Sequence, residues 1–348
     1  MDLQRTQAFG GRLLELMTGG ALTMMIGIGH RTGLFEAAAA GPATSGRLAD
    51  RAGLDERYVR EWLGAMVTGG ILEYRPGPGE YVLPAEHAAL LTGATAANVG
   101  PAASTLRTLG AVLPAVERCF TEGGGVPYAE YAAVAGDSLG ETWRHVYDDH
   151  LVDGFLGAVP GLTDRLRSGA RVLDLGCGSG HAVNLMAAAF PGSEFFGLDI
   201  APEAIALAEA ERERMALRNA EFLVADAELL PTDPGFDVIT AFDAIHDQRA
   251  PEAVLARVRA ALRPGGTFVM VDTNFSSHLE RNLDNPHAPL GYAISLMFCV
   301  PTTRASGGPA LGAVWGRERA MELLAGAGFT EVALLDSPRP QNGIFVGR

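Results

Sequence analysis

The chain has 348 residues, 48% apolar and 20% charged, enough for about two domains at roughly 150 residues each. Its 41 acids exceed its 27 bases to give a net charge of -14, and every base is arginine. Without lysine there is no Schiff-base aldolase, no pyridoxal-phosphate enzyme with an internal aldimine and no P-loop nucleotidase, and the acidic excess speaks against a nucleic-acid partner.

Cys119, Cys177 and Cys299 lie far apart and match no zinc spacing, so a reducing compartment is expected and a metal site is not. The first residues, MDLQRTQAFGG, lack the charged-then-apolar layout of a secretory signal. The longest apolar run, Ala21 to Gly29, is far short of the roughly 20 residues that span a bilayer. A soluble, cytoplasmic protein with no membrane partner is the expectation.

The chain opens helical: Leu14, Met17, Ala21, Met24 and Ile28 recur at spacings of three and four, a stripe suited to a core or a dimer seam. Ser45 is placed to cap a short helix, SGRLADRA, that stops at Gly53. Asp55 is placed to cap a second, ERYVREWLGAMVT, that stops at Gly69-Gly70. Short strands over 71–74 and 81–83 flank a Pro/Gly turn, which completes a winged helix-turn-helix. Between Thr44 and Arg75 five arginines (47, 51, 57, 60, 75) meet five acids (50, 55, 56, 61, 73), whereas a groove-reading helix needs a positive face. Residues 1–100 therefore read as a protein-protein module, a homodimerisation domain above all. Residues 101–165 read as a helical linker, with a flexible Gly-rich stretch at 122–127 and an aromatic helix from Trp143 to Phe155. Tyr147 and His150 on that helix either pack or line one wall of a cleft.

Residues 171–180, RVLDLGCGSG, are the sharpest local signal. An apolar strand ends in Asp174, and Gly176, Gly178 and Gly180 precede a helical run, so the backbone turns tightly with a helix N-terminus behind it. A dinucleotide turn would need glycine at 181, where His stands, and Asp174 would repel a pyrophosphate. A second strand ends in Asp199, a third delivers Asp226 and Ala227, a fourth reads FDVITAF, and a fifth, TFVMVDT, contains Asp272. Alternating strands and helices imply a parallel sheet with ligands at the strand C-termini.

D-x-G-x-G-x-G after a strand resembles motif I of the class I S-adenosylmethionine-dependent methyltransferases. The resemblance implies an α/β, Rossmann-like seven-stranded sheet over 166–348, preceded by a mainly helical winged-helix domain. It implies S-adenosylmethionine as cofactor, held by Asp174, Gly176, Cys177, Gly178, Asp199, Ile200, Asp226, Ala227 and Phe242. Asp199 would bind the ribose hydroxyls, and Asp226 with Ala227 would read adenine.

Methyl transfer aligns nucleophile, methyl and sulfur, and a hydroxyl nucleophile must lose a proton, for which histidine is the natural base. Of eight histidines, His246 lies just beyond the fourth strand in AIHDQ. A winged helix followed by this core and His-Asp is similar to the plant-type and bacterial small-molecule O-methyltransferases. That resemblance makes His246 the general base and Asp272 the acid that orients it. The family's His-Asp is often followed by Trp where Gln248 stands here, and Asp272 is one carbon shorter than the usual Glu. Alternatives stay open: His246 as a helix N-terminal residue with Asp247 capping the Pro251 helix, or as a positioning residue. The insertion 274–316 reads as an acceptor-site cap, with His278, Tyr292, Phe298 and Trp315 as candidate substrate contacts. Two further functions remain: a nitrogen or carbon methyltransferase (or drifted reaction) of the same fold, and a S-adenosylmethionine-sensing regulator that binds DNA.

Overall fold

The computed structural model describes residues 1–135 and 138–348, and they form two compact units. One comprises Met1–Ala111 with Ala135–His145, and the other Val112–Val134 with Val146–Arg348. Residues 101–165 contribute to both units.

In the first unit the winged helix forms as the turn chemistry dictates. Gly53 ends the helix Ser45–Ala52 at φ 68°, and Asp55 caps the helix Glu56–Thr68 by accepting the Arg57 N–H at 2.9 Å. The first cap differs from expectation: Thr44 takes that place, and the Ser45 hydroxyl instead donates to Glu56 at 2.6 Å, joining the two helices. Strands β1 (Glu73–Arg75) and β2 (Glu80–Val82) pair antiparallel to make the wing. Phe35, Leu48, Leu63 and Met66 fill the core, and Trp62 donates its indole N–H to the Met25 carbonyl. On the would-be recognition helix Arg57 pairs with Glu61 and Arg60 with Glu56, so its exposed arginines are neutralised by their own neighbours.

The helix Leu3–Arg31 has 29 residues, and its stripe faces outward: Leu14 is 62% exposed and Met17 65%. By length and composition this helix is able to cross a membrane, which the short run Ala21–Gly29 alone did not suggest.

In the second unit seven strands make one sheet in the order β5-β4-β3-β6-β7-β9-β8. These are β3 (Arg171–Leu175), β4 (Glu194–Asp199), β5 (Ala220–Val224), β6 (Phe236–Phe242), β7 (Leu262–Thr273), β8 (Val332–Leu335) and β9 (Asn342–Gly347). Strands β3 to β7 are parallel, and β9 runs antiparallel to both its neighbours. The strand order reverses between β3 and β6, which opens a crevice at their carboxyl ends. Helices bury their apolar faces on the sheet, with Val254, Leu255, Val258 and Leu324 essentially inaccessible.

Candidate active site

The glycine loop follows β3. Gly176, Gly178 and Gly180 all have positive φ (71°, 53° and 72°), which only glycine adopts without strain. The Gly176 and Cys177 N–H groups donate to the Leu198 carbonyl, tying the loop to β4. Gly178 differs from its neighbours because a Cβ there would meet nothing within 4 Å, whereas one at Gly180 would strike Ala208 and Phe222. Gly178 therefore borders open space, the cradle a bound cofactor needs. Its N–H donates to Asp199 Oδ2 at 2.8 Å, while Oδ1 accepts from the Ala201 N–H. Ile200 is 67% exposed beside this carboxylate. Asp226 caps a short turn by accepting the Glu228 N–H at 2.8 Å, and Ala227 is buried beneath it. The Cys177 thiol is held neutral by burial and by the nearby Asp174 and Asp199 carboxylates.

Asp174 is 2% exposed and receives the Thr240 hydroxyl at 2.6 Å. Burial pushes its carboxyl up to about 7, against the opposing Thr240 hydrogen bond and with the help of Asp199. Phe242 lies edge-on to Tyr147, with ring centroids 5.4 Å apart. The Tyr147 phenol is raised well above its ordinary value by burial and then by Asp174 and Asp243. Tyr147, expected at the acceptor, thus sits among the residues assigned to the cofactor. His150 is half-buried, 6.5 Å from the Phe155 ring, and the aromatic helix ends there in a π-turn, Leu151–Leu156.

On the other side of the crevice, β6 ends in a strained turn: Asp243 has φ 55°, unusual for a residue with a side chain, and donates its N–H to the Val271 carbonyl at 2.7 Å. Three residues on, His246 is 2% exposed, with Nδ1 at 2.9 and 3.0 Å from the two Asp272 oxygens. The shorter acid reaches the ring. Asp272 is fully buried and also accepts the Thr273 N–H at 2.7 Å and the Trp315 indole N–H at 3.0 Å. Burial disfavours the imidazolium, but Asp272 and then Asp247 outweigh it and hold the ring well above its ordinary value. With Nδ1 committed to Asp272, Nε2 is the edge left for chemistry. It faces Asp247 Oδ1 at 3.6 Å, and the Cys299 thiol lies within 4.8 Å of the ring. Asp247 does not cap the following helix, whose N-cap is Ala250 with no side-chain bond.

In each of two groups, His246–Asp247–Cys299 and Asp243–His246–Asp272, the potential ligand atoms lie within 4.8 Å of one another. His246 Nδ1 is already committed to Asp272.

The insertion 274–316 folds as short helices around a π-turn, Ser295–Cys299, which carries Phe298 and Cys299. Phe298 packs edge-on against Tyr131 at 5.0 Å. Tyr131 and its neighbour Tyr128 come from the stretch read as a joining segment. The Tyr131 hydroxyl donates to the Met297 carbonyl at 2.7 Å, and Gly125 lies so close to Pro301 that a Cβ has no room. Burial raises the Tyr128 phenol, and the Asp199 charge adds to it. His278 and Tyr292 stand on the exposed side of the insertion. Trp315, expected to touch the acceptor, is instead 5% exposed, packed in the sheet core with its N–H on Asp272.

Residues 20–93 match the model of the Rv2258c-like winged helix-turn-helix domain, and residues 166–314 that of a methyltransferase domain. Among curated proteins, the phthiotriol/phenolphthiotriol dimycocerosates methyltransferase of Mycobacterium leprae is 36% identical over 106 residues, 30% of this chain and 38% of that protein. The chain spans less than half the length of the first curated relatives it matches. Among solved structures, the mitomycin 7-O-methyltransferase superposes with a TM-score of 0.72 at 18% identity, covering 100% of both chains. Human N-acetylserotonin methyltransferase, solved with its methyl donor, gives 0.71 at 17% identity over 97% of both chains.

Proposed function

We propose that this chain, a winged helix-turn-helix domain joined to a methyltransferase domain, moves the methyl group of S-adenosylmethionine to a hydroxyl of a small molecule with His246 as general base. The observation that carries the reading is the buried Asp272–His246 pair across the crevice from the open glycine cradle. The cofactor, when bound, supplies a methyl group activated on a sulfonium. Asp199, Gly178, Asp226 and Ala227 are the residues placed to hold it, and Asp174 offers a buried carboxylate on the same side. Asp272 orients the ring through Nδ1, so that Nε2 takes the acceptor's proton, and the resulting imidazolium is stabilised by the same carboxylate. The segment 126–134 and the insertion, packed on each other, exclude water from the transfer.

The exposed stripe of the helix Leu3–Arg31 belongs in this reading to a seam between two copies, since Arg5, Arg12 and Glu15 interrupt its first half. Light scattering on the eluting protein is expected to give twice the chain mass; a monomer would remove the seam. The regulator reading is disfavoured by the self-neutralised recognition helix, and salt-dependent duplex binding would restore it.

Calorimetry with S-adenosylhomocysteine and a labelled-methyl screen over phenols, alcohols, carboxylic acids and amines test the function. Binding of one ligand per chain and label on a hydroxyl oxygen are expected. Label on amines alone would overturn the hydroxyl assignment, and absence of cofactor binding would overturn the whole reading.

A further inference from the structure

Trp315 closes the insertion one residue beyond the segment that the methyltransferase model matches. Its position is built: the backbone N–H donates to the Gly312 carbonyl at 3.1 Å, and its own carbonyl accepts the Ser277 hydroxyl at 2.9 Å. Flanking glycines at 312 and 316 take φ of 74° and 87°, and a Cβ at 316 would lie 2.1 Å from the Ser277 nitrogen. The turn thus delivers the indole under His246, with ring centroids 6.3 Å apart, and its N–H onto Asp272 Oδ1 at 3.0 Å. Apolar packing alone would be served by a phenyl ring. The indole adds one donor, and that donor is spent on the carboxylate that holds the imidazole.

We propose that Trp315 is a positioning residue: its indole N–H fixes the Asp272 carboxylate and sets how strongly that carboxylate holds the His246 proton, so that the insertion and the base are coupled through one hydrogen bond. This rests on His246 acting as the base, yet it is testable without turnover. A donor on Oδ1 stabilises the carboxylate's charge and weakens its pull on the proton at Nδ1. Without that donor, Asp272 draws the proton harder and the ring titrates at higher pH. The other groups facing the ring are Asp247 on its own turn, Asp243 at the end of β6 and Cys299 from the insertion, and all of them remain in a Trp315 variant.

The experiment is a proton-nitrogen NMR titration of the His246 ring in protein free of cofactor and acceptor. Trp315→Phe is expected to raise the His246 midpoint by about half to one pH unit. Replacement of Trp315 by its benzothiophene isostere, in which sulfur stands where the N–H was, should give the same shift with the volume preserved. The isostere therefore decides the matter if the Phe variant folds poorly. An unchanged or lowered midpoint in the isostere overturns the proposal. In turnover, both variants are expected to move the acidic limb of kcat to higher pH while cofactor affinity holds. If the wild-type protein transfers no methyl group, the functional reading fails while the NMR result still judges the coupling.

Discussion

Two buried aspartates flank the crevice, and their surroundings make them different groups. Asp174, at the end of β3, is 2% exposed, and burial pushes its carboxyl up to about 7, with Asp199 adding to the rise and the Thr240 hydroxyl, donating at 2.6 Å, opposing it. Asp272, on β7, is 0% exposed, yet it receives the Thr273 N–H and the Trp315 indole and holds the His246 ring. Burial is alike; the neighbouring groups are not, since the Asp199 carboxylate adds to the rise at Asp174 while the His246 ring faces Asp272. Donors that replace water orient a buried carboxylate and its partner ring. Asp174, raised by burial, keeps its proton up to about 7.

The largest expected break is Asp272→Asn. An amide cannot stabilise the imidazolium, so single-turnover transfer should fall by roughly 10²- to 10³-fold with cofactor affinity unchanged by calorimetry. A matching loss of affinity would place Asp272 at the cofactor instead.

Asp174→Asn should act in the opposite sense on the fold. Its native value lies above the ordinary 3.8, so the carboxyl's contribution to stability is complete at acid pH and is lost as pH rises towards about 7. Denaturant unfolding at pH 8 should therefore show the Asn variant roughly 2 to 4 kcal/mol more stable, with little difference near pH 3. Cofactor affinity should fall in the same protein, and in the wild type it should weaken as pH drops through about 7. Equal stability of the two proteins at pH 8 would show that Asp174 carries no burial penalty.

Gly178→Ala probes the cradle itself. Open space surrounds the new methyl and only the φ of 53° resists it, so folding should lose about 1 kcal/mol while cofactor affinity falls tenfold or more. Unchanged affinity would move the cofactor off this loop. The smallest effect belongs to Thr240→Val: without the Thr240 hydroxyl Asp174 should titrate above its present value of about 7, carrying the pH dependence of cofactor binding upward. A downward shift would contradict the donor argument.

The glycine loop was legible in the amino-acid sequence because its constraints are local. Positive φ demands glycine at 176, 178 and 180, and Asp199 and Asp226 follow strands of plain apolar pattern. The pairing of His246 with Asp272 followed from the resemblance, and it forms here because their two strands are neighbours in the sheet. Trp315 was not, because its bond to Asp272 spans 43 residues of insertion and its aromatic character suits a substrate wall equally well. Tyr128 and Tyr131 escaped for the same reason, lying in a Gly-flanked stretch whose partner is the insertion. The Thr44 cap was a matter of one residue: both candidates carry a hydroxyl, and only the backbone decides which stays extended.

The most direct measurement is the pH dependence of single-turnover methyl transfer in the wild type and in His246→Ala, both saturated with cofactor. The account predicts a wild-type rate that rises with pH through a midpoint above 6.5, because Asp272 and Asp247 hold the ring protonated below it. The variant should be at least about 100-fold slower and flat across the same range. A variant that keeps the wild-type rate, or the wild-type midpoint, would contradict the assignment of His246 as the base.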